Sequence, residues 1–269
     1  MKNFTKNELI NCLKKLKIKK SSVVLIHSSL HSIGPMKGYK FNEIPKEIIK
    51  CIKEYLGPKG TILLPAFYYN YSRKKKIFNL KKSPPCFSLG SLPKYVFNNL
   101  NFYRSKHPLT SLFAIGYKAS EICKKSNVKD FNKGSAWEKL TSLNANLLFL
   151  GAKPADSMTY IHYIENQVGV PHMYTKKFST HIKDNSKIIS RGCYAYVRYL
   201  DYGIEADEKN FEADLKKNKL LKEISLGSGF ISNVKCLDAL KFGIEKVENK
   251  SFYFLKKKPI FKKNEYPIK

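Results

Sequence analysis

Three stretches decide the fold: "SSVVLIHSSL" (residues 21–30), "FNEIPKEIIKCIKEYLG" (41–57) and "KGTILLPAF" (59–67). The first is an unbroken apolar run rich in β-branched residues and closed by hydroxyls, the pattern of a buried strand. The second sets Ile44, Ile48, Ile52 and Tyr55 at helical spacing and stops at Gly57-Pro58. The third is a short apolar strand. Strand, helix and strand within roughly forty residues make a βαβ unit, so the chain is expected to be a layered α/β/α protein with a central mixed sheet and right-handed crossover.

Outward from this unit the same reading continues. An amphipathic helix is expected near residues 6–17, and "HPLTSLFAIG" (107–116) and "ANLLFLGAK" (145–153) read as further buried strands. Between them, "KGSAWEKLTSL" (133–143) reads as a helix with Ser135 at its N-cap and Glu138 three residues on. Residues 68–105 are polar, aromatic and proline-bearing, and are expected to be a surface insertion with one short helix at "LPKYVFNNL" (92–100). "KKFSTHIKDNSKIISRGCYAYVRYL" (176–200) alternates as an antiparallel pair does, within an antiparallel subregion of about 172–225. "CLDALKFGIEKVENKSFYFL" (236–255) predicts a closing helix and strand. With no internal repeat or linker, residues 1–269 read as one domain.

Composition narrows the partners. Fifty Lys and Arg against 21 Asp and Glu give a formal charge of +29, which invites a nucleic-acid reading. Yet the only arginines are Arg73, Arg104, Arg191 and Arg198, and bidentate recognition of phosphates and bases favours arginine. The lysine runs carry no nucleic-acid motif, so a basic, non-enzymatic nucleic-acid binder stands only as an alternative of another class. Cys12, Cys51, Cys86, Cys123, Cys193 and Cys236 lie far apart without zinc-finger spacing, as reduced thiols in a cytoplasmic protein would. No apolar run reaches the ~18 residues of a membrane span.

Chemistry concentrates in two places. "GSGFIS" (227–232) lacks the third glycine of a dinucleotide loop, "GPMKGY" (34–39) lacks the ending of a P-loop, and no G-x-S-x-G elbow occurs. "YIHYIE" (160–165) puts His162 and Glu165 three apart, on one face of a helix whose N-cap is expected at Asp156 or Ser157. Base with orienter, half of a metal site, and satisfied structural histidine are all open on these residues alone; a metal would need further ligands that the motif does not offer. Residues 28–34, after the first strand, offer backbone amides and hydroxyls for an anion, or simply a turn.

Taken together, "VVLIHSSLHSIG" (23–34), "LGPKGTILLPAF" (56–67), "HPLTSLFAIG", "FNKGSAWEKL" (131–140), "LLFLGAKPADSMTYIHYIENQVGVP" (147–171) and "LGSGFISNVKCLDALKFGIEKV" (226–247) occur in an order that resembles the aminoglycoside 3-N-acetyltransferase family. The resemblance implies an acyltransferase using acetyl-CoA, without a metal, to acetylate an amine of an amino sugar. It implies His162 as the catalytic base and Glu165 as its partner. For coenzyme A it implies His27, Ser28, Ser29, Leu30, Ile33 and Gly34, with Phe67, Thr110, Ser111 and Ser135 nearby. Lys37 and Lys40 are expected at the 3′-phosphate, and Thr110, Ser111 and Ser29 are candidate oxyanion donors. Asp156 and Tyr160 are expected at the acceptor. A structural role suits His107 equally well, and it is not counted among the catalytic residues. The acceptor divides between an aminoglycoside, which would make the protein a resistance enzyme, and a nucleotide-linked amino sugar, which the overall positive charge suits better. No specific nucleic acid or membrane is expected, and oligomeric state stays open, a homodimer included.

Overall fold

In the computed structural model, residues 2–199 and 202–261 are described; Leu200, which ends the expected antiparallel stretch, lies outside them, as do the chain's two ends. Alternation along β1 (Val23–Ser28) sets the two faces of the main sheet. Val23 and Leu25 point into one apolar core and Val24 and Ile26 into the other. On either side of β1 lie parallel neighbours, β2 (Thr61–Pro65) and β6 (Asn146–Leu150). Antiparallel strands flank these three: β5 (Leu112–Gly116) and β4 (Tyr103–Arg104) beyond β2, and β12 (Gly229–Lys235) and β11 (Lys222–Leu226) beyond β6. The sheet is therefore mixed, with order β11-β12-β6-β1-β2-β5-β4.

Helices cover both faces, which is why β1, β2 and β6 read as continuous apolar runs rather than alternating ones. Against one face pack α1 (Lys6–Lys15), α3 (Ile44–Leu56) and α5 (Ser91–Asn99). A capping box fixes the start of α1: Thr5 Oγ1 accepts from the Glu8 amide at 3.2 Å, and Glu8 Oε2 accepts from the Thr5 amide at 2.7 Å. The opposite face carries α6 (Ala136–Ser142), α8 (Tyr160–Val168) and α10 (Cys236–Asn249). Ser135 caps α6 as expected, accepting from the Glu138 amide at 3.1 Å. Among the described residues no helix is long and apolar enough to cross a membrane.

Three expectations need correction. Residues 68–105 are not a plain surface loop. The expected short helix forms as α5, but its Leu92 and Val96 are fully buried, the stretch also holds α4 (Asn70–Arg73) and β3 (Phe78–Asn79), and β4 extends the main sheet. β3 joins a small sheet with β8 (Ile182–Asp184) and β9 (Lys187–Ser190), while β7 (Met173–Phe178) pairs antiparallel with β10 (Cys193–Arg198). The closing segment after α10 supplies only an isolated bridge, Leu255 to Ala206, in place of a strand. Neither Asp156 nor Ser157 caps α8. Both lie in α7 (Pro154–Ser157), Met158 (φ −73°, ψ 79°) breaks the helical path, and α8 begins after Thr159.

This topology places the site. From β1 the chain crosses to β2 on one side, and after β5 it returns to β6 on the other, so the loops following β1 and β6 diverge and leave a crevice at the carboxyl ends of the strands. Gly151, just past β6, has φ +71°, and a Cβ there would lie 2.4 Å from the Ser29 carbonyl oxygen. Only glycine lets the two loop entries approach this closely.

Candidate active site

α8 carries the polar pair on an otherwise apolar helix. His162 and Glu165, three apart, share a face, and His162 Nδ1 lies 2.8 Å from Glu165 Oε2. Gly169 ends the helix in the left-handed conformation (φ 74°, ψ 51°), its amide donating to the Glu165 carbonyl at 2.9 Å. The chain then doubles back through Val170 and Pro171 and brings His172 Nε2 to 2.9 Å from Glu165 Oε1. An ionised carboxylate can only accept, so both imidazoles donate to it. Burial alone would push the Glu165 carboxyl up; the hydrogen bonds from His162 and His172 outweigh it and hold the group at about 2. Glu165 is wholly buried, whereas the His162 side chain keeps 31% of its exposure. With Nδ1 bound to Glu165, the free nitrogen of His162 is Nε2.

His162 forms one wall of a cavity of about 350 Å³ at the switch point of the sheet. Ile26, His27 and Ser28 from the end of β1 line it, as do Pro65, Phe67 and Tyr69 after β2 and residues 156–159 between β6 and α8. Ser88 and Leu89 close one side and Glu208 another. His27, the register partner of Phe149, stacks on that ring with centroids 5.3 Å apart. Its Nε2 has no hydrogen-bond partner, and burial lowers the imidazole to about 4, so it is neutral at neutral pH. Among the described residues the lining contains two carboxylates, Asp156 and Glu208, and no lysine or arginine. Burial pushes the Glu208 carboxyl up, while Arg198, 3.8 Å away, and His162 pull it back down. An adjoining cavity shares Asp156 and Glu208 and is lined also by Glu205, Asp207, Lys209 and Lys256, with Lys256 paired to Glu205 at 3.0 Å.

Of the residues expected from the sequence, His27, Ser28, Phe67, Asp156 and His162 meet around this cavity, and Glu165 stands directly behind it. The others do not line it. Leu30 and Ile33 are core residues, the Ser29 hydroxyl pairs with Ser32 at 2.8 Å, and Gly34 (φ +81°) forms the turn after them. Ser111 is buried and donates to the Ala66 carbonyl at 2.6 Å; Thr110 pairs with His107 Nδ1 at 2.8 Å; Ser135 is the buried cap of α6. Hydroxyls so committed are poor oxyanion donors. The Lys37 amide donates to the Phe4 carbonyl at 2.8 Å, and the Lys40 amide to Glu43 at 2.8 Å, neither side chain reaching the cavity wall. Tyr160, expected at the acceptor, does not line the cavity: it is fully buried, with its hydroxyl 2.8 Å from Thr141 Oγ1. His107 is buried, with Nδ1 2.8 Å from Thr110 Oγ1 and Nε2 3.2 Å from the Tyr194 carbonyl. His172, Tyr69, Ser88, Leu89 and Glu208 were not anticipated.

Fold and site together define an α/β/α protein whose histidine–carboxylate pair overlooks an acid-lined cavity at the switch point of its sheet. The chain belongs to the aminoglycoside 3-N-acetyltransferase family, whose model matches residues 25–248. An aminoglycoside N(3)-acetyltransferase III of Salmonella sp is 24% identical over 184 residues, a match spanning 62% of this chain and 62% of that protein. An aminoglycoside N(3)-acetyltransferase IV of Salmonella sp is 25% identical over 253 residues, 93% of this chain and 90% of the relative. Among solved structures, AAC-IIIb in a binary complex with CoASH superposes with a TM-score of 0.78 at 19% identity, covering 96% of this chain and 100% of that one. At that identity the likeness concerns the fold.

Proposed function

We propose that the protein transfers an acetyl group from acetyl-CoA to an amine of a cationic amino sugar, with His162 as general base. One observation carries this reading: the His162–Glu165 pair stands at a cavity whose described lining holds two carboxylates and no lysine or arginine, in a chain of charge +29. Family membership supplies the reaction class, and the relatives named as acetyltransferases support it. The cavity has room for the reacting ends of two ligands, the remainder of each extending through the mouth.

Acetyl-CoA supplies the acetyl group as a thioester. An amine at neutral pH is largely ammonium, so a base is needed before its lone pair can attack. His162 Nε2, the ring nitrogen left free by the bond to Glu165, takes the proton. As the imidazole becomes imidazolium, Glu165 compensates the charge from 2.8 Å and holds the ring in the productive tautomer. Asp156 and Glu208 bind ammonium groups and orient the attacking one. A half-buried carboxyl such as Glu208, under-compensated by an arginine 3.8 Å away, gains most from a bound cation.

A nucleotide-linked amino sugar would bring phosphates past Asp156 and Glu208, which disfavours that acceptor. The test is thiol release from acetyl-CoA with a panel of aminoglycosides and nucleotide-linked amino sugars, and His162→Ala as control. Activity on the polycationic acceptors that disappears in His162→Ala is expected. Activity confined to nucleotide sugars would overturn the acceptor class, and full activity in His162→Ala would overturn the base.

A further inference from the structure

Glu165 faces two imidazoles, and only one of them belongs to the helical motif. His172 lies in the return after Gly169, is 1% exposed, and places Nε2 2.9 Å from Glu165 Oε1. Its ring packs 5.7 Å from that of Phe252, and its Nδ1 has no hydrogen-bond partner among the described residues. One carboxylate compensates one imidazolium. A second imidazolium would leave a net positive charge in a buried site, which is costly. The proton taken during reaction belongs to His162, which opens to the cavity. His172 thus carries its hydrogen on Nε2, where Glu165 accepts it, and leaves Nδ1 bare, since a buried unpaired acceptor is a more tolerable orphan than an unpaired N–H.

We propose that His172 is a positioning residue for acyl transfer: its Nε2–H holds the Glu165 carboxylate in the rotamer that presents Oε2 to His162 Nδ1. This fixes His162 in the tautomer whose Nε2 can accept a proton from the amine. The inference rests on the proposed acyl transfer with His162 as base. A carboxylate with one free oxygen could rotate about its terminal torsion, which is broad for glutamate, and deliver its charge off the imidazole axis. Arg198 and Tyr196 from β10, and Glu208 ahead of the helix Lys209–Lys217, also act electrostatically on Glu165 or His162, and none of them donates a hydrogen bond to Oε1.

His172→Gln and His172→Asn separate positioning from packing. The glutamine amide nitrogen reaches the place of imidazole Nε2, whereas the asparagine amide stops at the place of Nδ1. Both substitutes are neutral, polar and unbranched at Cβ. In His172→Gln, kcat is expected within about threefold of the native protein. In His172→Asn it falls about 10- to 100-fold, as small misplacements of a catalytic group do, with both KM values within about twofold. Nitrogen-15 spectra of histidine-labelled native protein are expected to show one imidazole with its hydrogen on Nε2, a signal absent from His172→Asn. Native kcat in His172→Asn, equal losses in both variants, or a His172 whose hydrogen sits on Nδ1 would each overturn the proposal. His162→Ala serves as the outer control. If it retains activity, the base assignment falls and this inference with it; if it is inactive while His172→Asn is native-like, positioning alone is refuted.

Discussion

Glu165→Gln isolates the charge of the buried carboxylate while keeping its shape. In the native protein Oε2 accepts from His162 Nδ1 at 2.8 Å and Oε1 from His172 Nε2 at 2.9 Å. A glutamine amide has one acceptor oxygen and one NH2, so it cannot accept from both rings. If its NH2 faces His162, that ring shifts its hydrogen to Nε2, and the nitrogen facing the cavity is no longer a base. If its oxygen faces His162, the tautomer survives but the imidazolium loses its counter-charge. A unit charge about 4 Å away, at an effective dielectric of about 20, is worth roughly 4 kcal/mol. That corresponds to about a 10³-fold loss in kcat. Glu165 lines no part of the cavity, so KM for acetyl-CoA should hold within about threefold. The assay is initial-rate thiol release at saturating substrates from pH 6 to 9, with a thermal melt for folding. A folded Glu165→Gln protein with kcat within tenfold of native would refute the role given to this charge.

Three further outcomes follow from the same geometry. Asp156→Asn and Glu208→Gln should each raise KM for a polycationic acceptor about tenfold or more, the worth of one charge-assisted hydrogen bond, with kcat much less changed; unchanged KM in both would remove them from the acceptor site. His27→Phe keeps a ring against Phe149 but removes a group whose folded value, about 4, lies below the usual 6.5. The unfolded chain binds that proton first, so native stability from His27 is fully present above pH 6.5 and is lost as pH falls toward 4. Denaturant unfolding at pH 7 and pH 5 should therefore show a stability drop about 2 kcal/mol smaller in His27→Phe; equal drops would count against the buried neutral imidazole. Tyr160→Phe should cost about 1 kcal/mol through its lost bond to Thr141 and leave acceptor KM unchanged, whereas a raised KM would restore Tyr160 to the site.

The central sheet was legible because physical constraint and local pattern coincide there. β1, β2 and β6 are buried on both faces, and only a continuous apolar run satisfies that. His162 and Glu165 were legible for a similar reason: helical spacing of three guarantees a shared face before any tertiary contact is known. The same rule counted against Tyr160, which stands two residues from His162 and so points elsewhere, into the core beside Thr141. Residues 68–105 misled because their polarity belongs to the connections, while the buried Leu92 and Val96 are too few to lift the average. His172 had no periodic signal at all. Its contact depends on a left-handed glycine and on Pro171 folding the chain back on α8, and "VGVPH" read alone is merely a helix end.

Charge shows most clearly how a sum can mislead about a site. The chain's +29 suggested an anionic acceptor, yet the cavity beside His162 carries Asp156 and Glu208 with no lysine or arginine on its walls. The two facts are compatible because potential inside a concave, poorly solvated pocket follows its lining, while exposed lysines are screened within about 10 Å by salt. Lysine is a flexible, strongly hydrated charge that stays at the surface, so an excess of it alters solubility and long-range encounter more than it alters a buried wall. The acidic residues are fewer, and part of them are concentrated: Glu205, Asp207 and Glu208 arrive together on one segment and meet Asp156 from the other side of the cleft. A cationic acceptor would thus be repelled at a distance and bound at contact, so its association rate should rise with salt even as its equilibrium affinity falls. An anionic acceptor would show the reverse order, fast arrival and poor retention.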